Sequence, residues 1–262
     1  SIEPQMVNLY SALAADQLIF NSEFNRSSFF CGCDELMSKL PDYTFKNLSK
    51  RLHKKSSVIP VPIVDALFAI PANTLEKSLP IKLIWSHRWE YDKGPDRLWL
   101  FLVELSSRDI PFEISIVGEK FRHIPDEFER IKEHFSDQLN YFGYIDKVEE
   151  YRELLSRCDV VLSTAIHEFQ GIAVMEAVAA GCLPLVPNRL SYRELIGEKY
   201  RYESIVNSPE EEAVVAVDTL LKVILKDKGN DKLREQFQQY SWSSLTGRYQ
   251  KVIDQLYLPH RD

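Results

Sequence analysis

The stretch "HEFQGIAVMEAVAAG", residues 167–181, places Glu168 just before a run of small and apolar residues and Glu176 inside that run. A carboxylate with Ile172, Ala173, Ala179 and Ala180 as its helical neighbours is costly unless it is exposed or hydrogen-bonded. An ionised carboxylate only accepts, through two oxygens, so a pair of ribose hydroxyls would satisfy it in a bidentate way. At ~1.5 Å of rise per residue the two carboxylates would lie about 12 Å apart if both were helical, within reach of one extended ligand. The free N–H groups of the first turn, around Phe169, Gln170, Gly171 and Ile172, favour an anion or a hydroxyl-rich sugar. A solvent-facing Glu176 in an otherwise buried helix fits the same spacing, so other residues must decide.

The elements that would hold these groups alternate between short β-rich runs and amphipathic helices. "DQLIF" reads as strand, "SEFNRSSFFCGCDELMSKL" as helix and "SVIPVPI" as strand. Then follow the strands "IKLIWS", "FEISIVG", "LNYFGY" and "DVVLST", separated by the helices "DRLWLFLVELSSR", "PDEFERIKEHF" and "KVEEYRELLSRC". The helix opening at Gly171, with Ile172, Met175 and Ala179 as its core stripe, leads into a last strand, "CLPLVP". This alternation predicts parallel strands with right-handed crossovers, hence a doubly wound α/β sheet. Ligands of such sheets sit at the carboxyl ends of strands, where "SHRWEYDKG", "GEK" and "STAIHEFQG" fall.

A divide is expected between about residues 66 and 80, where "ALFAIPANTLEKSLP" has two prolines and no clear period. Residues 1–72 hold too few elements for a free-standing layered domain and read as the second half of a domain lacking its beginning. Residues 80–245 have the size of a complete α/β domain, and residues 246–262 read as a final helix returning to the first part. The chain has 262 residues, 45% hydrophobic, with apolar runs too short for the ~20 residues of a membrane-spanning helix. No membrane segment and no signal peptide are expected. Cys31, Cys33, Cys158 and Cys182 suit neither a disulfide framework nor a zinc site, and read as reduced cytosolic thiols. A net charge of -7 argues against nonspecific nucleic-acid binding by the whole surface. The local run "KNLSKRLHKK" could still meet phosphates through Lys46, Lys50, Arg51, Lys54 and Lys55, or be a solvated helix face.

Glu168, seven residues, then Glu176, with Gly171 between and "AVAAGCLPLVP" following, resembles the donor-site motif of family 4 retaining glycosyltransferases of the GT-B fold. Arg88 and Lys93 in "SHRWEYDKG" stand at that family's five-residue offset, and "VGE" (Gly118, Glu119) and "YFGYI" (Gly143, Tyr144) match its later strand ends. "LIWSHRWEYDKGPD", "STAIHEFQGIAVMEAVAAGCLPLVP" and "ADQLIFNSEFNRSSF" with "LPD" are similar to the tRNA-queuosine mannosyltransferase group within that family. His87 with Trp89, and His167 before Glu168, are the features shared with that group.

The resemblance implies a GT-B fold: one complete Rossmann-like domain plus the second half of an incomplete N-terminal one. It implies a cytoplasmic enzyme that moves mannose from GDP-mannose, without a metal, onto queuosine in a tRNA anticodon loop. No Asp-x-Asp triplet occurs in the chain. Arg88 and Lys93 would stabilise the leaving diphosphate. Glu168 would hold hydroxyls of the transferred sugar, Glu176 the ribose, and the backbone from Phe169 to Ile172 the sugar and phosphate. Gly118, Glu119 and Tyr144 would complete the donor site. His167 would orient the sugar or Glu168, or serve the structure alone. Trp89 and Tyr91 could stack on a base, whereas Trp85 reads as core. A chain without the first half of its N-terminal domain would bind donor weakly and could be an inactive fragment. Two rivals stay open: a glycosyltransferase acting on a lipid-linked or envelope glycan, and a nucleotide-sugar-binding fragment without turnover. A dehydrogenase is discarded, because no G-x-G-x-x-G turn follows any strand.

Overall fold

The structure is a computed structural model and describes residues 2–40, 47–71, 79–226 and 231–257. In the first part, α1 (Glu3–Ala14), α2 (Glu23–Lys39) and α3 (Leu48–Lys54) pack over two parallel strands, β1 (Leu18–Phe20) and β2 (Ser56–Val58). The helix α2 starts where the sequence suggests: the Ser22 hydroxyl caps it by accepting from the Asn25 N–H at 3.0 Å. Leu9, Ala12, Phe30, Cys33, Leu36, Leu48 and Leu52 form a small core of their own.

The larger part is a six-stranded, all-parallel sheet in the order β5-β4-β3-β6-β7-β8. Its strands are β3 (Ile81–Ser86), β4 (Phe112–Val117), β5 (Leu139–Gly143), β6 (Val160–Leu162), β7 (Leu183–Pro187) and β8 (Arg201–Tyr202). The crossovers are α4 (Pro95–Ser107), α5 (Glu127–His134), α6 (Val148–Arg157) and α7 (Ile172–Ala180). After β7 come α8 (Tyr192–Leu195), α9 (Pro209–Lys226), α10 (Asp231–Phe237) and α11 (Trp242–Tyr257). Helices cover the sheet, so its central strands are largely apolar: Ile84, Trp85, Ile114, Ile116, Val160, Leu162 and Leu183 all have less than 1% of their surface exposed. The chain builds β3, β4 and β5 outward in one direction, then returns to place β6 beside β3. That reversal opens a crevice at the carboxyl ends of β3 and β6, the position where such sheets bind ligands.

A strap of residues 58–65 ties the two parts together. The Ile63 N–H donates to Tyr240 O, and Trp242 N–H donates to Ile63 O, both at 2.8 Å. From α11, Tyr249 Oη donates to Pro60 O at 3.0 Å and Arg248 Nη2 to Val58 O at 2.6 Å. This is therefore a two-domain GT-B-like α/β fold, with one complete Rossmann-like sheet and a smaller two-stranded N-terminal sheet. The centre of the expected linker, residues 72–78, and the end of the expected returning helix, residues 258–262, lie outside the described residues. Among the described residues no helix is long and apolar enough to cross a membrane. All four cysteines are free thiols; Cys31 is exposed and the other three are buried.

Candidate functional site: a crevice at the β3 and β6 strand ends

The crevice holds a cavity of about 580 Å³ whose wall includes Ser86, His87, Arg88, Gly118, Glu119, Tyr144, Arg152, Ala173 and Glu176, with Val64 of the strap and Leu67 just after it closing it on one side. Five residues singled out from the sequence on four different segments (Arg88, Gly118, Glu119, Tyr144 and Glu176) thus converge on one space. Glycine is required at 118 because a Cβ there would collide with the carbonyl oxygen of His87. The β3 and β4 strand ends approach each other too closely for any side chain.

Lys93 and Glu168 form a second cluster beside the cavity. The short 3₁₀ turn Tyr91–Lys93 and the αL conformation of Gly94 turn the Lys93 side chain inward, where only 7% of the residue is exposed. Its Nζ donates to His167 O at 2.8 Å and pairs with Glu168 Oε2 at 3.4 Å and Asp92 Oδ2 at 3.3 Å. Glu168 Oε1 accepts from the Phe169 N–H at 3.1 Å and the Gln170 N–H at 3.4 Å. Burial alone would raise the Glu168 pKa, but the Lys93 ammonium, the His87 ring and the N–H groups of Gly171 and Gln170 outweigh it, so the carboxyl titrates below its ordinary value. Burial raises the Glu176 pKa, opposed by the nearby Arg152 guanidinium. The two glutamates therefore differ in charge environment as well as in place.

His87 joins the two clusters. It lines the cavity, and its ring is close enough to Lys93, Glu168 and Asp92 for each charge to act on it. Burial, aided by Lys93, lowers its pKa from 6.5 to about 4 against the pull of Glu168 and Asp92. Its Nε2 is buried without a hydrogen-bond partner among the described residues.

The remaining residues named from the sequence fall as follows. Gly171 is the N-cap of α7 at φ 75°, and a Cβ there would lie 2.7 Å from Cε1 of Tyr192. Gln170 is 1% exposed, and its amide exchanges two 2.8 Å hydrogen bonds with the main chain of Val61, so its side chain fastens the strap to the mouth of α7. Ile172 is 37% exposed, outside the core stripe expected of it; Met175 and Ala179 are buried as expected. Its N–H, with those of Ala173 and Val174, has no acceptor within the helix, since the first such bond runs from Met175 to Gly171. Phe169 is exposed, with its ring 6.5 Å from that of Phe24 on α2. The His167 side chain is exposed; its carbonyl, not its ring, is what Lys93 binds. Arg88 is half exposed, paired with Glu90 at 3.2 Å.

Of the basic run, Lys50, Arg51 and Lys54 are exposed on α3, and Lys46 lies outside the described residues. The Lys55 ammonium is committed elsewhere: it donates to Leu13 O and Ala15 O, closing the end of α1. Trp85 is fully buried with Nε1 donating to Thr164 Oγ1 at 2.9 Å. Trp89 is also buried, stacked on Phe128 at 4.4 Å, which leaves Tyr91 as the exposed ring of the three.

Beneath the Glu168 loop lies a network that residue spacing did not reveal. Glu212, 2% exposed on α9, pairs with Arg97 Nε at 3.1 Å and Arg189 Nη1 at 2.7 Å. Arg189 in turn donates to Ala165 O at 2.9 Å and Thr164 O at 3.1 Å, three and four residues before Glu168. Among the described residues no group of three or more His, Cys, Asp or Glu is placed to hold a metal ion.

Comparison with known proteins agrees with this geometry. Residues 69–242 match the family of group 1 glycosyl transferases, and residues 1–63 match the N-terminal region of tRNA-queuosine alpha-mannosyltransferase. The tRNA-queuosine alpha-mannosyltransferase of Drosophila melanogaster is 38% identical over 204 residues, which cover 75% of this chain and 54% of that protein. The chain thus spans about half the length of this curated relative. Among solved structures, HepE of Anabaena in complex with UDP-glucose superposes with a TM-score of 0.73 at 12% identity, over 97% of this chain and 68% of that one. Sucrose-phosphate synthase of Thermosynechococcus elongatus does so with a TM-score of 0.72 at 15% identity, over 98% and 62%. The chain belongs to the group 1 glycosyl transferases and, within them, to the tRNA-queuosine alpha-mannosyltransferase family.

Proposed function

We propose that the protein is a retaining glycosyltransferase that carries mannose from GDP-mannose to queuosine in the anticodon loop of tRNA, in the cytoplasm. The observation that carries this reading is the convergence of Arg88, Gly118, Glu119, Tyr144 and Glu176 on one cavity, with the Lys93–Glu168 pair beside it. The relative from Drosophila bears the name of this activity, and the HepE structure holds a nucleotide sugar in the same fold. In this reading residues 80–245 bind the donor and residues 1–72 lie on the acceptor side.

Glu176 receives the two ribose hydroxyls, with Ala173 one turn earlier on α7 leaving room for the sugar. Cleaving the sugar–phosphate bond builds charge on the diphosphate and oxocarbenium character on the sugar. Arg88 leaves Glu90 to fork onto phosphate oxygens, while Lys93, already fixed, supplies a point charge. With two cations on the leaving group no metal is needed. Glu168, ionised at neutral pH, holds hydroxyls of the transferred mannose. The departing phosphate takes the proton of the attacking hydroxyl on the same face, so no protein nucleophile is required. Lys50, Arg51 and Lys54 on α3 would grip flanking phosphates of the RNA loop, a contact that weakens steeply with salt.

The test is to incubate the protein with GDP-mannose, with UDP-glucose as the competing donor, and queuosine-containing tRNA, then digest the tRNA and weigh its nucleosides by mass spectrometry. A queuosine heavier by one hexose, formed from GDP-mannose, is the expected product. An unchanged queuosine alongside nucleotide binding would point to a binding fragment, and transfer to a lipid-linked glycan instead of tRNA would contradict the acceptor.

A further inference from the structure

His87 has a hydrogen-bonding group that no contact among the described residues uses. The residue is 8% exposed, Nε2 is buried with no partner among the described residues, and His87 belongs to the wall of the cavity between Ser86 and Arg88. Its position is tightly held. The His87 N–H donates to Val117 O at 3.0 Å, and Gly118 packs against its carbonyl oxygen. Its ring meets the buried Trp85 edge-on at 4.9 Å. A ring nitrogen left unpaired in such a setting is destabilising, and native proteins keep few of them without a purpose.

Its surroundings say what partner it suits. Glu168, assigned to the transferred sugar, and Lys93, assigned to the leaving phosphate, act on the ring electrostatically, while the cavity it lines reaches Glu176 at the ribose end. His87 therefore stands between ribose and sugar, where the diphosphate must lie. Burial holds its pKa down at about 4, so near neutral pH it is an uncharged imidazole with one N–H to give. Resting on the donor site proposed above, we propose that His87 donates a hydrogen bond from Nε2 to the distal phosphate of the nucleotide sugar, the group on which charge grows as the sugar departs. It is a third donor to that phosphate beside Arg88 and Lys93, one that adds direction without a third full charge.

Calorimetric binding of GDP and GMP, together with steady-state turnover, on the wild type and on His87→Phe, His87→Gln and His87→Asn tests this. Phe keeps the ring volume and the Trp85 contact but has no N–H; the Gln amide nitrogen reaches the place of Nε2, and that of Asn only the place of Nδ1. The expected result is that Phe and Asn weaken GDP binding about tenfold or more, leave GMP binding unchanged and lower kcat more than they raise KM, whereas Gln restores most of both. Without nucleotide the Phe variant should be at least as resistant to thermal unfolding as the wild type, since it removes an unpaired buried nitrogen. A merely structural histidine predicts lower stability and equal loss of GDP and GMP, and that outcome, or a Phe variant binding GDP as the wild type does, overturns the inference. A wild type that binds neither nucleotide overturns the donor site itself and this inference with it.

Discussion

The two glutamates answer to different physics. Glu168 is surrounded by an ammonium and main-chain N–H groups that keep it ionised, while Glu176 sits where burial resists ionisation until hydroxyl donors arrive. Replacing Glu176 by Ala should raise the donor KM by roughly tenfold with a smaller change in kcat, since the proposed ribose contact would be made equally in the ground and transition states. Arg88→Ala should instead lower kcat by about 100-fold, because its charge matters most as the diphosphate leaves. Initial rates across a donor titration separate the two, and matching effects from both variants would contradict the assignment. That Arg88 and Glu176 share one cavity was legible in the sequence, because each is a charged group at a strand end or helix mouth in a set order. His87 as a site residue was only half legible: its letter was visible beside Arg88, but the missing partner of Nε2 is a property of packing. Conversely, nothing in the letters showed that the ammonium of Lys55 would be absorbed by the carbonyls ending α1.

At the scale of elements, strand and helix patterning gave β3 with its observed ends, Ile81–Ser86, and most other elements from β1 to β7 within a few residues. The strand expected over "SVIPVPI" shrinks to Ser56–Val58, since its prolines cannot donate to a ladder and the remainder becomes the strap. β8, two residues long, offers no period to read. The helix α9 announces itself with Pro209 and three successive glutamates, yet a run of three gives no sign that Glu212 alone turns inward to hold Arg97 and Arg189. Glu212→Ala would leave the buried Arg189 guanidinium without its carboxylate and Arg97 with only Asp96 to pair with, and should cost about 3–5 kcal/mol by chemical denaturation. Because Arg189 also fastens the carbonyls of Thr164 and Ala165, the same variant should lower kcat in protein that is still folded. A loss below about 1 kcal/mol would show that the network carries little strain-free alignment of the loop.

For the whole molecule, the strap of residues 58–65 couples the small N-terminal unit to the crevice of the larger sheet, through Gln170 on one side and α11 on the other. Such coupling was not legible, because it depends on carbonyls and N–H groups that every sequence possesses. Protonation offers a global readout of the site. The His87 pKa is about 4 in the folded protein against an ordinary 6.5, so the unfolded chain binds more protons between these values. Stability is then fully present above about pH 6.5 and falls as the pH drops toward about 4, with Glu168 extending the loss below its own ordinary range. Urea midpoints from pH 7.5 to 4.5 should fall more steeply for the wild type than for His87→Phe; parallel curves would contradict the burial of a neutral ring.

The proposed donor site is tested most directly by where a nucleotide sugar lies. A crystal structure with GDP bound should show the ribose hydroxyls on Glu176 and the diphosphate between Arg88, Lys93 and His87. A nucleotide seated in another cavity, or a diphosphate out of reach of both Arg88 and Lys93, would contradict it.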